Sequence, residues 1–300
     1  MKKYLLLLYF LASLIVQSCD YVSNPNETIE SNPGGGPGDT TVHVRRVLVE
    51  DYTGHKCTAC PQAAIAANQL KTTFGDKVVV VAVHAGFFAS PTTPAGAPAG
   101  SYLVDFRTAA GTAYDGSAYF GVSNIGNPNG MINRKDYDAT SAAHVKSYSS
   151  WSSEVASLLA LEPIADVKIT NTYNASTRSL GINVASQFLS DTLLSGSYSL
   201  VVMITQDSIV DWQLDGSTHV PDYVHQHVLR ANVNGTWGES LVNGSITPNA
   251  TITKNYTYTL PASYLGNPCD EDQCHVVAFI YNTANYEVLQ VAEASVTGGH

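Results

Sequence analysis

The sequence predicts an α/β domain followed by an all-β domain. In residues 44–162, apolar residues at helical spacing alternate with continuous β-branched runs, which are typical of strands covered on both faces by helices. From Ile164 onward the helical spacing disappears, and alternating apolar and polar runs separated by turn residues take over. We therefore predict two folded domains, 44–162 and 163–300, with a boundary near Glu162 and Pro163.

The first residues are typical of an exported chain. Lys2 and Lys3 precede an apolar segment, Leu5 to Val16, that is too short to span a bilayer as a mature helix, and a small residue then precedes Cys19. This pattern resembles the bacterial lipoprotein signal, in which the cysteine is lipidated and becomes the mature N-terminus. We predict that residues 1–19 are the signal region and that Cys19 carries lipid. An ordinary cleaved signal with a chance cysteine is the alternative.

Residues 20–43 are predicted to be a flexible tether, because they are poor in apolar groups and rich in Pro and Gly. Such a segment would hold a folded body away from a membrane surface. The 300-residue chain has a formal net charge of -10 and only 13% charged residues. Because nucleic acid is polyanionic, this balance argues against nucleic acid as a partner.

The pair Cys57 and Cys60 lies at a predicted strand-to-helix junction. An apolar run, Val44 to Tyr52, precedes the pair, and a helical pattern, Pro61 to Phe74, follows it. The free N–H groups and the dipole at a helix N-terminus stabilise a thiolate, so such a cysteine becomes a nucleophile near neutral pH. Two intervening residues let the sulfurs cycle between dithiol and disulfide.

The surroundings of this pair also favour redox chemistry. His55 and Lys56 would add positive charge beside Cys57, which we expect at the exposed start of the helix. With the β-branched run Lys77 to Val83, the order strand, C-x-x-C, helix, strand predicts the opening of a thioredoxin-like fold. The Pro- and Gly-rich residues 85–100 are predicted to form a loop over the pair. A static disulfide and half of a zinc site are the alternatives, although no second ligand pair for zinc stands out.

Pro128 is the second candidate residue of the redox site. It lies in the stretch Gly126 to Arg134, at the place where thioredoxin-like proteins have a cis-proline that precedes a strand and packs against the active-site cysteines. The cis state and this role are implied by that resemblance. A trans turn proline in an Asn-Pro-Asn-Gly loop is the alternative.

The second half predicts an antiparallel, immunoglobulin-like sandwich. About seven alternating runs follow one another without a helical pattern between them. The predicted strands are 164–172, 179–188, 198–205, 224–231, 251–260, 275–281 and 287–296. Such a fold by itself indicates nothing about function.

Two further residue pairs are candidate sites. Cys269 and Cys274 flank a short acidic loop before a strand, and we predict a structural disulfide between them, with calcium binding by the acidic side chains as the weaker alternative. His225 and His227 would lie on one face of a strand at a separation that suits a metal, but a polar strand face is the more ordinary interpretation. We therefore predict neither a metal nor a cofactor.

Taken together, these motifs resemble those of the thioredoxin-like lipoproteins related to outer-membrane protein 28. The resemblance implies a lipid-anchored protein at the outer membrane or cell surface of a Gram-negative bacterium, in a family described as surface antigens or candidate adhesins. The motifs that carry it are Tyr52-Thr53-Gly54 before Cys57-Thr58-Ala59-Cys60-Pro61, Pro128 with Gly130-Met131-Ile132-Asn133-Arg134, His225-Gln226-His227-Val228-Leu229-Arg230, Asn234-Gly235-Thr236-Trp237-Gly238, Val277-Ala278-Phe279-Ile280-Tyr281-Asn282 and Val288-Leu289-Gln290.

Two functions remain open from the sequence. The protein is either an anchored thiol–disulfide oxidoreductase acting on unidentified envelope or surface proteins, or a non-enzymatic surface binding protein or adhesin in which the C-x-x-C disulfide only braces the first domain. Lys56 stands where thioredoxin has a tryptophan before its first cysteine, which weakens the transfer of reductase activity. No Ser-His-Asp set, phosphate loop or paired-carboxylate motif points to a third enzyme class.

Overall fold

The structure is a computed structural model that describes residues 42–137, 144–189 and 195–298. The predicted signal region, Cys19 and all but the last two residues of the predicted tether lie outside the described residues. Within the described ranges, the longest apolar helices fall short of what is needed to cross a membrane.

The elements of secondary structure are numbered here in chain order. The helices are α1 (Cys60–Phe74), α2 (Ala109–Tyr114), α3 (Val122–Ile125) and α4 (Trp151–Leu159). The first strands are β1 (Val47–Thr53), β2 (Val78–His84), β3 (Asn129–Ile132) and β4 (Lys146–Ser147). The later strands are β5 (Ala165–Asn174), β6 (Ser179–Phe188), β7 (Ser195–Gln206), β8 (Ile209–Asp215), β9 (Thr218–His225), β10 (Val228–Asn232), β11 (Glu239–Ser245), β12 (Ile252–Thr259), β13 (Ser263–Tyr264), β14 (Asn267–Pro268), β15 (Cys274–Asn282) and β16 (Val288–Ser295).

The β1–α1–β2 unit follows directly from the sequence pattern. β1 and β2 are fully buried and pair in parallel along their whole length. The helix between them begins at Cys60 with Pro61 in its first turn, where the missing N–H breaks no helical hydrogen bond, and it ends at Gly75, whose φ is 62°. Its buried face packs on the sheet through Ala63, Ala67 and Leu70. The predicted order of strand, C-x-x-C, helix and strand is confirmed.

One mixed sheet contains strands from both sides of the predicted domain boundary. Its order is β16-β15-β7-β10-β2-β1-β3-β4, and β11 also pairs with β7. The halves meet where β10 runs parallel to β2, with Val228 beside Ala82, and where the Ala82 N–H donates to the carbonyl oxygen of His227 at 2.8 Å. The change from helices to strands occurs close to residues 162–163, where the sequence predicts it, but the main sheet continues across that point.

A second sheet, β12-β6-β5, covers one face of the later strands of the main sheet. Along β6, alternate residues such as Leu180 and Ile182 are buried, and they share a core with Leu200 of β7 and Val276 of β15. No α-helix follows α4 in the described residues. The predicted all-β, two-layer character of the second half is therefore confirmed at this level of detail.

The core on the opposite face of the main sheet is shared by both halves of the chain. Leu48 and Val79 from the first strands pack in one cluster with Met203 and Phe279 from the later ones. The two parts of the chain therefore bury apolar surface against each other and not only within themselves.

Arg134, after β3, lies in this shared core with its charge balanced by Glu50 of β1. Arg134 Nε donates to Glu50 Oε2 at 2.8 Å and Nη2 donates to Oε1 at 2.6 Å, and both side chains are almost completely buried. The guanidinium also lies over the rings of Tyr114 and Phe279, at 4.4 and 5.0 Å. Because an unpaired buried charge is costly, this pair fixes β1 against β15 and the α2 region.

Candidate functional site

The C-x-x-C loop connects β1 to α1 and holds a disulfide. Cys57 and Cys60 are bonded, their Cα atoms are 5.4 Å apart, and each residue is 2% exposed. The carbonyl oxygen of Gly54 accepts from the Cys57 N–H at 2.9 Å. A Cβ on Gly54 would lie 2.5 Å from the carbonyl carbon of Phe88, so only glycine fits this close approach of two backbone segments. The predicted exposed position of Cys57 is wrong, because neighbouring segments cover it.

A hairpin from the second half of the chain forms much of this cover. It consists of β8 and β9, which pair in an antiparallel two-stranded sheet. This hairpin is not among the strands that the sequence predicts. Three hydrogen bonds fasten it to the C-x-x-C loop: Leu214 N–H to His55 O at 2.8 Å, Gly216 N–H to Thr58 O at 2.9 Å, and Gln213 Nε2 to Cys57 O at 3.1 Å.

The loop after β2 packs on another side of the C-x-x-C loop, as predicted. Lys56 Nζ donates to the hydroxyls of Ser90 and Thr92, at 2.6 Å in each case. The Tyr102 hydroxyl lies 2.8 Å from Nδ1 of His219 on β9. The loop and the hairpin are thus bonded to each other as well as to the C-x-x-C segment.

Burial removes one of the two positive charges predicted beside Cys57. His55 is fully buried, and this burial lowers its pKa to about 4, so its imidazole is uncharged at neutral pH. Burial also lowers the pKa of Lys56 from its usual value, and hydroxyl groups rather than carboxylates hold its ammonium. The prediction that His55 contributes charge is therefore wrong, and Lys56 is the cation beside Cys57.

A small cavity of about 40 Å³ lies behind the disulfide. Cys60 lines it together with Asp51 of β1, His84 of β2 and His225 of β9. Asp51 Oδ1, both ring nitrogens of His84 and Nε2 of His225 are buried without a hydrogen-bond partner among the described residues. Buried polar groups normally have partners, and a polar cavity of this size has room for water. The cavity is therefore suited to hold water directly beside Cys60.

Burial also sets the protonation of the groups around this cavity. It raises the pKa of Asp51 to about 7, so this carboxyl exchanges a proton near neutral pH. It lowers the pKa of His225 to about 3 and that of His84 well below its usual value, and the neighbouring imidazoles add to both effects. Of these three groups, Asp51 is the one that titrates near pH 7.

Asp51, His84 and Gln213 are site residues that the sequence analysis missed. A signal for the first of them was present, because Asp51 is an acidic residue inside a strand whose neighbours are otherwise apolar or buried. No local signal identified His84 or Gln213. Their positions depend on how distant strands pack.

Pro128 lies at the end of β1 that leads into the C-x-x-C loop. β3 runs antiparallel to β1 with Asn129 beside Tyr52, so Pro128 comes at the next position, near Thr53. The Asn127–Pro128 peptide bond is cis. The structure therefore brings the proline and the C-x-x-C loop to the same edge of the main sheet.

His225 and His227 do not share a strand face, contrary to the prediction. β9 ends at His225, and His227 follows in a bend with φ 57°, although both residues line the cavity behind the disulfide. His227 Nδ1 lies 3.1 Å from Oδ1 of Asp207. Within the described ranges, no group of three or more His, Cys, Asp or Glu side chains is arranged to hold a metal ion.

The predicted disulfide between Cys269 and Cys274 is not formed in the structure. Both residues are buried thiols with sulfur atoms 3.7 Å apart, compared with about 2.05 Å in a disulfide. The hydrogen bond with Cys274, and the nearby positive charge of Arg178, hold the pKa of Cys269 below its usual value. Arg178 Nη1 also pairs with Glu271 Oε2 at 2.5 Å, so this acid of the loop already has a cationic partner.

Comparisons with known proteins extend these observations. A family model described as "Outer membrane protein Omp28" matches residues 114–298, which is more than half of the chain. The matched interval includes Pro128 and the β8–β9 hairpin but begins after the C-x-x-C loop. No curated protein matches the sequence.

Solved structures resemble the chain at low sequence identity. HBP35 of Porphyromonas gingivalis superposes with a TM-score of 0.63 and 15% identity, over 85% of this chain and 76% of that one. A protein from Agrobacterium tumefaciens gives 0.50 and 12%, over 87% and 98%. A domain of the outer membrane lipoprotein Omp28 from Porphyromonas gingivalis gives 0.32 and 21%, over 46% and 91%. At such low identities, the first two superpositions indicate similarity of fold only. The third superposition is too poor to indicate even that.

Proposed function

The chain belongs to the Omp28 family of outer membrane proteins, and we propose that its thioredoxin-like half exchanges disulfides with envelope proteins through Cys57 and Cys60. The observation that carries this proposal is the position of Asp51. A buried carboxyl with a pKa of about 7 lines the same cavity as Cys60, and a group of that kind can accept the proton of a thiol at neutral pH.

The exchange would proceed in two steps, formation of a mixed disulfide and its resolution. Starting from the dithiol form of the pair, which a thiol reductant of the envelope must supply, the Cys57 thiolate attacks one sulfur of a partner's disulfide, a mixed S–S bond forms, and the partner's other sulfur leaves as a thiolate. Cys60 then gives its proton to Asp51, and its thiolate attacks the Cys57 sulfur. The Cys57–Cys60 bond forms again, two electrons have passed to the partner, and the partner leaves as a dithiol after taking up protons. The reverse sequence oxidises a partner dithiol.

Pro128 would form one wall of the partner's binding site. It lies at the edge of the main sheet that carries the C-x-x-C loop. The β8–β9 hairpin covers the disulfide in the structure, so a partner reaches Cys57 only after the hairpin moves aside. Access would therefore be gated.

The burial of the disulfide also favours a second function. Cys57 and Cys60 are both 2% exposed, and three hydrogen bonds fasten the hairpin over them. A disulfide that is permanently covered would only brace the fold, and the protein would then be a surface binding protein or adhesin.

Covalent trapping separates the two functions. In the exchange mechanism, Cys60→Ser leaves the Cys57 thiol able to form a mixed disulfide that cannot be resolved, so envelope proteins accumulate on it and are visible on non-reducing gels. Cys57→Ser should trap nothing, and Cys269→Ser is the matched control that should behave like the wild type.

The reduction potential of the Cys57–Cys60 pair is the complementary measurement. Exchange proteins lie between about -270 and -120 mV, whereas structural disulfides lie below about -300 mV. A potential in the lower range, together with no trapped partner, would contradict the exchange function and leave the binding function.

We also propose that Cys19 is lipidated and that residues 20–43 tether the folded part to the outer membrane. The support is the short apolar segment before Cys19, together with membership of an outer-membrane family. Mass spectrometry of the mature N-terminus should find a diacylated or triacylated Cys19. An unmodified Cys19, or cleavage elsewhere, would exclude this anchor.

A further inference from the structure

A second and larger pocket lies close to the cavity behind the disulfide. Its volume is about 380 Å³, which is within the usual range for sites that bind small molecules. Phe106 lines this pocket, and its ring packs against the rings of His84 and His225, which line the smaller cavity, with ring centroids 4.9 Å apart in both cases. Phe106 therefore lines the larger pocket and contacts two residues that line the smaller cavity.

Arg230 is the polar residue that distinguishes the larger pocket. It lines the pocket but is only 5% exposed, and its Nε has no hydrogen-bond partner among the described residues. Its Nη2 makes only long contacts, of 3.5 Å to Tyr264 O and 3.4 Å to Asn267 O. In the described part of the chain, no carboxylate forms an ion pair with Arg230.

Arg134 is a buried arginine with a carboxylate partner, whereas Arg230 has none among the described residues. Arg134 forms a two-bond pair with Glu50, and such pairing is how buried arginines normally compensate for lost hydration. Burial disfavours the charged form of Arg230, whose pKa lies below its usual value. The Arg230 guanidinium therefore has a buried N–H group, at Nε, that is free to donate to an anionic acceptor.

The other groups of the pocket limit the charge and shape of that acceptor. Arg107 and Asp105 form a two-bond pair at 2.9 and 2.8 Å and cancel each other, so the lining carries one net positive charge. Phe106, Leu229 and Tyr264 supply apolar and aromatic walls, and the Tyr264 ring centroid lies 4.7 Å from the Arg230 guanidinium carbon. A complementary ligand has one negative charge and an apolar body.

The pocket also accounts for sequence motifs that disulfide exchange does not use. The stretch from His225 to Arg230 and the stretch from Asn234 to Gly238 were both noted in the sequence. Arg230 belongs to the first, Gly235 and Thr236 belong to the second, and all three line the pocket.

We propose that this pocket binds a small monocarboxylate with an aromatic or apolar body, its carboxylate on Arg230 and its body between Phe106 and Tyr264. A carboxylate matches the planar donors of a guanidinium with two parallel hydrogen bonds. The site is separate from Cys57 and Cys60, and it does not depend on their redox activity.

Calorimetric titration with a matched pair of probes tests the charge requirement. The purified wild-type protein is titrated with 3-phenylpropanoate and with 3-phenylpropanamide, which differ only in the carboxylate and the amide. Binding of the carboxylate should be at least about tenfold tighter, because a charge-assisted hydrogen bond is lost with the amide. Equal binding of both probes, or binding of neither, would overturn the proposal.

Variants locate the site. Arg230→Gln should weaken binding of 3-phenylpropanoate by about tenfold or more. Arg178→Gln is the matched control, because Arg178 is another partly buried arginine near Cys269 but does not line the pocket, and its binding should equal that of the wild type. If Arg230→Gln binds 3-phenylpropanoate as tightly as the wild type does, the carboxylate does not bind to Arg230 and the proposal is wrong.

A second pair of variants avoids any change in the core. Leu265 lines the pocket, is 69% exposed and has φ 49°, a backbone conformation that Asp and Asn tolerate. Leu265→Asp and Leu265→Asn differ only in charge, and at low salt the Asp variant should bind the carboxylate several-fold more weakly. Equal affinity in the two would contradict the proposal even if Arg230→Gln failed to fold. Arg230 is also one of the positive charges that lower the pKa of Cys269. If Arg230→Gln changes only the rate at which Cys269 is alkylated and leaves carboxylate binding intact, Arg230 acts on that thiol and the proposed site is wrong.

Discussion

At the scale of single residues, burial determines which groups near the disulfide carry charge. Asp51 and His55 are both enclosed by the hairpin, the sheet and neighbouring loops, but burial acts on them in opposite directions. It favours the protonated, neutral carboxyl of Asp51 and the deprotonated, neutral imidazole of His55. The cation that remains beside Cys57 is Lys56.

These two shifts give opposite dependences of stability on pH. The folded pKa of Asp51, about 7, is above its ordinary 3.8, so between these values the folded state holds a proton that the unfolded state releases, and the free energy of unfolding falls as pH rises. The folded pKa of His55, about 4, is below its ordinary 6.5. The unfolded state therefore binds the extra proton in that window, and the free energy of unfolding falls as pH decreases.

Asp51→Asn should remove the first of these effects and leave the second. When the pH is raised from 5 to 8, the free energy of unfolding of the wild type should fall by ~3 kcal/mol relative to that of the variant. This value corresponds to about two pKa units at 1.36 kcal/mol each. Urea denaturation of the oxidised proteins at both pH values measures this. Asp222→Asn, at an exposed position of β9, is the matched control, and an equal pH response in Asp51→Asn and wild type would show that Asp51 does not titrate near neutral pH.

At this scale the sequence predicts what depends on local spacing. The C-x-x-C motif, its helix start and Pro128 are short-range patterns, and each lies at the expected place in the chain. The burial of His55 and the missing bond between Cys269 and Cys274 depend on packing by distant segments, which spacing does not report.

At the scale of elements, the β8–β9 hairpin decides whether the disulfide is reachable. It is joined to the C-x-x-C loop by three hydrogen bonds and to the loop after β2 through His219 and Tyr102. Several of its side chains are exposed, including Val210 at 60% and Val224 at 45%. Because few buried apolar side chains hold this hairpin, we expect it to open at a lower free energy than the core strands.

Gln213→Ala should loosen this cover. Gln213 is 3% exposed, and its Nε2 donates to Cys57 O at 3.1 Å and to Leu214 O at 3.0 Å. Loss of about 1 kcal/mol of hydrogen bonding would raise the population of the open hairpin, and with it the rate of disulfide reduction by dithiothreitol, about fivefold.

The control for this prediction is another glutamine on a strand. Gln187 of β6 lies in the second sheet, outside the hairpin, and donates to Asn249 O and Thr251 Oγ1. Gln187→Ala should leave the reduction rate unchanged. If both variants react at the wild-type rate, hairpin opening does not limit access to Cys57.

The hairpin was missed because its sequence does not follow the simple alternation that predicts half-buried strands. β8 and β9 form a two-stranded sheet whose inner side covers a loop and a cavity instead of an extended apolar core. By contrast, β1, β2 and β6 were predicted correctly, because continuous or alternating apolar runs report burial against a large core.

At the scale of the whole molecule, the two predicted domains share one sheet and one core. The register of β10 beside β2 and the cluster of Leu48 with Phe279 both cross the predicted boundary. The sequence predicts the change from helices to strands near residue 162, but it contains no pattern that reports which strands pair across that change. Pairing between distant strands is fixed by the packing of the complete chain.

This sharing predicts a single cooperative unfolding transition for residues 43–298. Differential scanning calorimetry should give equal calorimetric and van't Hoff enthalpies, and limited proteolysis should leave no stable fragment that ends near residue 162. Two separate transitions, or a resistant fragment with that end, would show that the halves fold independently in spite of their common sheet.

The side chain of Gln290 on β16 links the two ends of the folded chain, and this has a consequence for the time course of folding. Its amide donates to the carbonyl oxygen of Val44, 246 positions earlier, and its oxygen accepts from the Arg46 N–H at 2.9 Å. Contacts of such high sequence separation form slowly, because a long loop must close before they contribute. In a chain exported from its N-terminus, Cys57 and Cys60 enter the oxidising envelope about 150 residues before the hairpin that covers them. During biogenesis an oxidant would therefore react with the Cys57–Cys60 dithiol before the hairpin covers it. In the folded protein the pair is buried and no longer open to such a reaction.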